Sequence, residues 1–96
     1  MNNVYIMSAN RSAIGGFGGT LKNHCPVDLG TLVAKEAIVR SGFEANEVEH
    51  AVFGNVIHTE PRDMYVSRVI ALQAGMDKAS AALTVNRLCG SGLQAI

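Results

Sequence analysis

The sequence predicts an α/β fold in which a largely parallel sheet is covered by helices. Short apolar runs alternate with longer runs of helical character, and glycines or prolines separate them. This alternation predicts the order β-α-β-α-β-α. The 96 residues suffice for one small domain, and a composition of 48% hydrophobic and 17% charged residues is typical of a globular protein rather than a disordered one.

The first half of the chain is predicted to form a strand, a glycine-rich loop and a helix. Val4–Ser8 has the β-branched and aromatic content of a short strand. The loop AIGGFGGTLK follows, and Pro26 then stands where a helix can begin. The segment VDLGTLVAKEAIVR fits this helix, which Gly42 can end. Because its apolar residues cover most of the circumference, we expect the helix to be buried on more than one side.

The second half is predicted to contain two strands, a second helix and the start of a third. Ala51–Ile57 is almost continuously apolar, which suits a parallel strand covered on both faces. The segment MYVSRVIALQA fits a helix that Gly75 can stop. Ala82–Val85 is a third short strand, and NRLCGSGLQAI then predicts a turn and the start of a helix.

This last helix has only begun where the sequence stops. Leu93, Ala95 and Ile96 are followed by no glycine cap, basic last turn or proline. We therefore expect residues 1–96 to be an incomplete domain, truncated at the start of its third helix or belonging to a split protein.

Charge and cysteine content exclude several classes of protein. Eight Lys and Arg balance eight Asp and Glu without a basic stripe, so neither nucleic acid nor an anionic membrane is expected as a partner. No apolar run spans a bilayer and no secretory signal is recognisable, which makes the cytoplasm the expected location. Cys25 and Cys89 form neither a disulfide framework nor a metal-binding spacing, so no metal or cofactor-binding residues are predicted.

Cys89 is the candidate catalytic residue, because the segment ALTVNRLCGSGLQAI places it between a strand and a helix start. Free N–H groups and the helix dipole favour a thiolate there. The N–H of Cys89 can also face the oxygen of an attacked carbonyl, and Gly90 and Gly92 leave room for a ligand. The alternative is that Cys89 is a small core residue, which is the usual role of a cysteine at a buried junction.

The segment NRLCGSGLQAI resembles the nucleophile segment of thiolases, the acetyl-CoA acetyltransferases and β-ketothiolases. The likeness covers the whole chain, since three earlier segments are similar to the family's opening strand and loop, its first helix, and its second strand and helix: SANRSAIGGFGGTLK, VDLGTLVAKEAIVRSG and VFGNVIHTEPRDMYVSRVIALQAG. The resemblance implies a partial thiolase amino-terminal domain with Cys89 as the acyl-accepting nucleophile.

The resemblance also implies a ping-pong acyl transfer. Cys89 takes an acyl group from acyl-CoA as a thioester, and acetyl-CoA then condenses with it to give a 3-ketoacyl-CoA; the reverse reaction is thiolysis. Coenzyme A thioesters are substrates, and no prosthetic group is implied. The activating histidine, a second cysteine and an oxyanion-binding histidine belong to later segments of the family, so the 96-residue chain alone is expected to be inactive. The alternative function is a catalytically inactive fragment that acts at most as an interaction module.

A homodimer or homotetramer is the assembly that the resemblance implies for the complete enzyme. In thiolases the strand before the nucleophile pairs antiparallel with its copy across a two-fold axis. Leu83 and Val85 are therefore expected near the dimer edge, and the strand's apolar, proline-free sequence agrees with this.

Other candidate residues favour structural roles. His24, His50 and His58 match no thiolase histidine motif and are expected on the surface or in loops, although each is a conceivable base. Cys25, next to a helix start, also matches no motif.

The remaining motifs are likewise expected to be structural. GGFGG suggests a nucleotide-binding domain but fits neither GxGxxG nor GxxxxGK[ST], which favours a turn. Asn86 and Arg87 are expected to shape the turn around the nucleophile, and Met64 is expected in a core or interface rather than in an acyl pocket.

Overall fold

The computed structural model describes residues 2–96 and contains, in this range, three α-helices and two β-strands. In chain order they are α1 (Pro26–Ser41), β1 (His50–Gly54), α2 (Val66–Gln73), β2 (Ala81–Val85) and α3 (Ser91–Ala95). Short 3-10 helices precede β1 and α2, at Ala45–Glu47 and Pro61–Tyr65. The predicted alternation of helices with parallel strands is confirmed from α1 onwards.

The first predicted strand, Val4–Ser8, is wrong for the described structure. The described residues before α1 form neither helix nor strand, and Ile6 is 82% exposed. A strand needs a neighbour for its backbone donors and acceptors, and here the segment runs beside a helix instead of a strand. Ser8 fixes it there, because its hydroxyl donates to the Ala37 carbonyl of α1 at 2.8 Å.

The helix α1 begins and ends where the sequence predicts, but it is less buried than expected. Pro26 occupies its first turn, and Gly42 ends it with a left-handed φ of 79°. Only Val27 and Thr31 are buried among its residues, whereas Leu32 is 65% exposed. The helix α1 packs mainly on α2 and on the 3-10 helix Pro61–Tyr65, and the segment before it bonds to the Val33 and Ala37 carbonyls. These contacts leave the side that carries Leu32 exposed.

The two strands form a parallel pair with His50 opposite Ala81 and Gly54 opposite Val85. The strand β1 stops three residues short of the predicted end at Ile57, because the chain leaves the sheet after Gly54. The crossover between the strands runs through α2, as a parallel connection requires.

Two backbone hydrogen bonds show which groups of β2 face β1. The Ala81 N–H donates to the Glu49 carbonyl at 2.9 Å, and the Asn55 N–H donates to the Val85 carbonyl at 3.0 Å. Since alternate residues of a strand face the same neighbour, the backbone groups that point toward β1 are those of Ala81, Leu83 and Val85. The groups that point away are those of Ala82 and Thr84.

The core lies between α2 and its neighbours. Ile70 of α2, 1% exposed, packs with Val27 of α1 and with Phe53 of β1. A second cluster joins Ala51 of β1 to Ala71 of α2. The helix α2 is therefore the element that joins α1 to the sheet. Within residues 2–96, no helix is long and apolar enough to cross a membrane.

Candidate functional site

Cys89 lies in the turn that joins β2 to α3, beyond the carboxyl end of the sheet. Its thiol is exposed, so the interpretation of Cys89 as a small core residue does not hold for the described structure. Its backbone N–H donates to no acceptor among residues 2–96, whereas the N–H of Gly90 donates to the Arg87 carbonyl at 3.0 Å. A free N–H beside an exposed sulfur is available to a ligand oxygen.

The turn is held by its own backbone and by one amide side chain. Asn86 Oδ1 accepts a hydrogen bond from the Leu88 N–H at 3.0 Å, which confirms the predicted role of Asn86 in shaping the turn. Leu88 has a φ of 47°, the one positive value of a non-glycine residue within the described part of the chain. Strained backbone of this kind persists only where the surroundings fix it.

Ser91 supplies much of that fixation, a role that is not predicted from the sequence. It is 4% exposed, and its hydroxyl accepts from the Arg87 N–H and donates to the Leu88 carbonyl, both at 2.7 Å. The available signal was the serine inside CGSG, two residues after the cysteine. Its hydroxyl closes the turn from inside and leaves the sulfur of Cys89 outside.

Gly54 allows α3 to approach β1 at this point. A Cβ built on Gly54 would lie 2.8 Å from the carbonyl carbon of Ser91 and 2.9 Å from its Cβ. These distances are shorter than a real Cβ contact allows, so the last residue of β1 has to be glycine for Ser91 to sit here. The turn that carries Cys89 thus has two supports: β2, from which it continues, and Gly54 of β1, on which Ser91 rests.

A Gly54→Ala substitution should displace α3 and destabilise the fold. We expect a loss of about 1–3 kcal/mol in the free energy of unfolding, which is typical of overpacking. The matched control is Gly92→Ala, because a Cβ at Gly92 meets nothing within 4 Å. Thermal unfolding of both variants is the measurement, and equal melting temperatures would contradict the described contact.

The other candidate residues are not brought to Cys89. None of His24, His50 and His58 hydrogen-bonds to it among the described residues, and His58 Nδ1 lies 2.9 Å from Asn55 Nδ2. Cys25 is half-buried at the N-cap of α1, and its sulfur accepts from Arg62 Nη2 at 3.4 Å.

The remaining motifs also lie apart from the turn that carries Cys89. The GGFGG loop forms turns, with Gly18 at a φ of 65°, which agrees with the predicted structural role. Met64 is 54% exposed rather than in a core. No group of three or more histidine, cysteine, aspartate or glutamate side chains within residues 2–96 is arranged to hold a metal ion.

Comparison with known proteins places this geometry in a family. The sequence model described as "Thiolase, N-terminal domain" matches residues 4–96. The chain belongs to the thiolase family. The fold agrees, since the crystal structure of Acat5 thiolase from Ascaris suum in complex with coenzyme A superposes with a TM-score of 0.86 at 35% identity, over 95% of this chain and 24% of that one. The acetyl-CoA acetyltransferase of Bacillus anthracis superposes with a TM-score of 0.85 at 40% identity, over 93% and 22%.

Curated thiolases show a similar relation in sequence. Beta-ketothiolase BktB of Cupriavidus necator is 57% identical over 93 residues, which are 97% of this chain and 24% of that protein. The mitochondrial 3-ketoacyl-CoA thiolase of Homo sapiens is 35% identical over 96 residues, which are 100% and 24%. This thiolase chain therefore spans about a quarter of the length of these two curated relatives.

The loop after β1 of this thiolase chain is organised by a buried carboxylate. Asp63 is 0% exposed, and its Oδ2 accepts from the Thr59 N–H at 2.7 Å, the Thr59 hydroxyl at 2.8 Å and the Glu60 N–H at 3.2 Å. Asn55 Nδ2 donates to the Asp63 carbonyl at 3.3 Å. The hydrogen bond from the Thr59 backbone lowers the pKa of Asp63 below its ordinary value of 3.8, and this outweighs the opposite effect of burial.

An Asp63→Asn substitution should give a stability loss that depends on pH. Because the pKa of Asp63 is lower in the folded state, its carboxylate stabilises the fold above about pH 3.8, and this stabilisation disappears as the pH falls through the folded-state pKa. The gap in melting temperature between parent and variant should therefore be constant near neutrality and shrink below pH 3.8. Asp77→Asn, at an exposed position, is the control. A gap that widened with acid would contradict the assignment.

Proposed function

We propose that Cys89 is the nucleophile of a thiolase acyl transfer. The observation that carries this is the exposed thiol of Cys89 in a turn held rigidly from inside by Ser91, in a chain of the thiolase family. Sulfur suits the reaction, because acyl exchange between thioesters is nearly balanced in energy and a thiolate is a strong nucleophile. The names of the relatives support the substrate class, since they include β-ketothiolase and acetyl-CoA acetyltransferase.

The proposed reaction has two half-reactions. In the first, the Cys89 thiolate attacks the carbonyl carbon of acyl-CoA, the bond from that carbon to the CoA sulfur breaks, and CoA leaves and takes up a proton. In the second, acetyl-CoA loses a proton from its methyl carbon, and this carbon attacks the acyl group on Cys89. The bond to Cys89 breaks, the thiolate is regenerated and a 3-ketoacyl-CoA leaves. Thiolysis is the same sequence reversed.

The backbone N–H of Cys89 is the proposed donor to the oxyanion of the first half-reaction. It has no other acceptor among residues 2–96 and lies on the residue that attacks. A donor of this kind lowers the barrier most when its position is fixed before charge develops. The strained backbone at Leu88 and the two hydrogen bonds of Ser91 supply that fixation.

The proton-transfer groups are proposed to come from outside residues 1–96. No histidine of this chain hydrogen-bonds to Cys89 within the described residues, and the beta-ketothiolase BktB of Cupriavidus necator is about four times as long. General acid–base groups contribute about 10²–10⁴-fold each, so the 96-residue chain alone should turn over far more slowly than a full-length thiolase that contains it.

Trapping of the acyl-enzyme tests the proposal. A full-length thiolase that contains this chain is mixed with acetyl-CoA and quenched in acid, and the peptide carrying Cys89 is weighed by mass spectrometry. An acetyl group on that peptide is the expected result. An acetyl group found on Cys25 alone, or on no cysteine, would refute the assignment.

An interaction module is the second candidate function, and the exposed apolar side chains favour it. Leu32, Val39, Leu83 and Leu93 are each more than half exposed among the described residues. We propose that the outer edge of β2 pairs with its copy in a homo-oligomer, with Leu83 and Val85 near the interface. A fragment that oligomerises in this way without turnover would support the second function.

A further inference from the structure

Ser67 of α2 is a buried polar residue whose hydroxyl links both strands of the sheet. It is 1% exposed. Its Oγ accepts from the Phe53 N–H of β1 at 3.1 Å and donates to the Leu83 carbonyl of β2 at 2.8 Å. Thr84 completes the network, since its hydroxyl donates to Ser67 Oγ at 2.9 Å and accepts from the Ser67 N–H at 3.2 Å.

The two backbone groups that Ser67 joins are partners in the sheet. The Asn55 N–H donates directly to the Val85 carbonyl, and the same spacing along the chain relates the Phe53 N–H to the Leu83 carbonyl. These two groups face each other at one rung of the unbroken ladder between β1 and β2, and the hydroxyl of Ser67 adds a hydrogen bond to each of them. A side chain from the crossover helix is thus tied to both strands near their carboxyl ends.

Both strands lead from this rung to the nucleophile turn. Phe53 is followed by Gly54, on which Ser91 rests. Leu83 and Thr84 are followed by the last residue of β2 and then by the turn that carries Cys89. The hydroxyl of Ser67 consequently joins the two supports of the turn, one residue before the end of β1 and two residues before the end of β2.

We propose that Ser67 is a positioning residue for Cys89. Its hydroxyl ties α2 to both strands, and this tie holds the ends of β1 and β2, and with them the sulfur and N–H of Cys89, in place relative to a bound acyl group. The inference rests on the proposed role of Cys89 as nucleophile. Reaction rates depend steeply on such placement, with about 100-fold lost for an error near 1 Å.

Ser67→Ala separates positioning from simple stabilisation. Without the hydroxyl, the Phe53 N–H and the Leu83 carbonyl remain partners in the unbroken ladder, so the sheet survives but loses its tie to α2 at this rung. In a full-length thiolase that contains this chain, we expect kcat to fall about 10–100-fold. We expect KM within twofold and a melting temperature near that of the parent. A residue that only stabilised the fold would lower the melting temperature and leave kcat unchanged in the folded enzyme.

Two further variants serve as control and second test. Ser80→Ala removes a buried hydroxyl that has no hydrogen-bond partner among the described residues, just before β2, and should leave kcat unchanged. Thr84→Val keeps the shape of the side chain but removes the hydroxyl bound to Ser67, and should lower kcat in the same direction, whereas Thr84→Ser should retain it. This pair decides the question if Ser67→Ala fails to fold.

The acyl adduct distinguishes failure of this inference from failure of the proposed function. If the parent forms the adduct on Cys89 while Ser67→Ala and Thr84→Val both keep the parental kcat, Ser67 is not a positioning residue. An equal loss in Ser80→Ala would also overturn the inference. If the parent forms no adduct on Cys89, the proposed function and the inference both fall.

Discussion

Cys89→Ala should abolish acyl-enzyme formation and reduce turnover of a full-length thiolase that contains this chain by roughly 10⁴-fold or more. The methyl group of alanine cannot form the thioester, so the first half-reaction has no covalent route. The fold should survive, because the Cys89 side chain is exposed and the turn is closed by Ser91 and Asn86. Turnover is measured with acetyl-CoA, and the adduct by mass spectrometry of the intact protein.

Cys25→Ala is the matched control for this variant. Cys25 is the other free cysteine, but it lies at the N-cap of α1 and contacts Arg62 rather than the nucleophile turn. We expect near-parental turnover and an unchanged adduct. Turnover that survived Cys89→Ala but disappeared in Cys25→Ala would show that Cys25, and not Cys89, is the nucleophile.

The elements that the sequence predicts well are those with local signals. Pro26 and Gly42 set the ends of α1 through their own backbone preferences, and the structure places both as expected. Val4–Ser8 has equally good local signals but forms no strand, because a strand depends on a neighbour that a propensity cannot supply. The burial of α1 is overestimated for the same reason. Its apolar residues predict burial, but they do not show which surface, if any, covers them.

The candidate site likewise contains residues that can be recognised from the sequence and residues that cannot. Cys89 and Asn86 are recognisable in the sequence because the strand, the turn and the CGSG motif are contiguous. Ser67 and Gly54 are not, because their roles depend on contacts with residues that lie 14 and more positions away in the sequence. Buried serines and strand glycines are common, and only the register of β1 against β2 reveals what these two residues do.

The geometry of β2 also determines how its proposed role as a dimer edge is tested. The backbone groups of Leu83 face β1, so Leu83→Pro would break the internal ladder and report on folding. The N–H groups of Ala82 and Thr84 face away from β1 and are the donors available to a second copy. Thr84 also serves the Ser67 network, which leaves Ala82 as the informative position.

Ala82→Pro should weaken the oligomer of a full-length thiolase that contains this chain while leaving its fold intact. Proline removes an outward donor, which an edge strand tolerates, and its ring obstructs a strand that approaches from that side. Two-fold symmetry doubles the effect, so at about 1 kcal/mol for each lost hydrogen bond we expect the dissociation constant to rise by on the order of 30-fold. Sedimentation velocity over a dilution series measures this, with circular dichroism to confirm the fold.

Ala82→Val, which keeps the N–H, should sediment as the parent does. An Ala82→Pro protein with the parental oligomeric state at every concentration would show that the outer edge of β2 is not the interface.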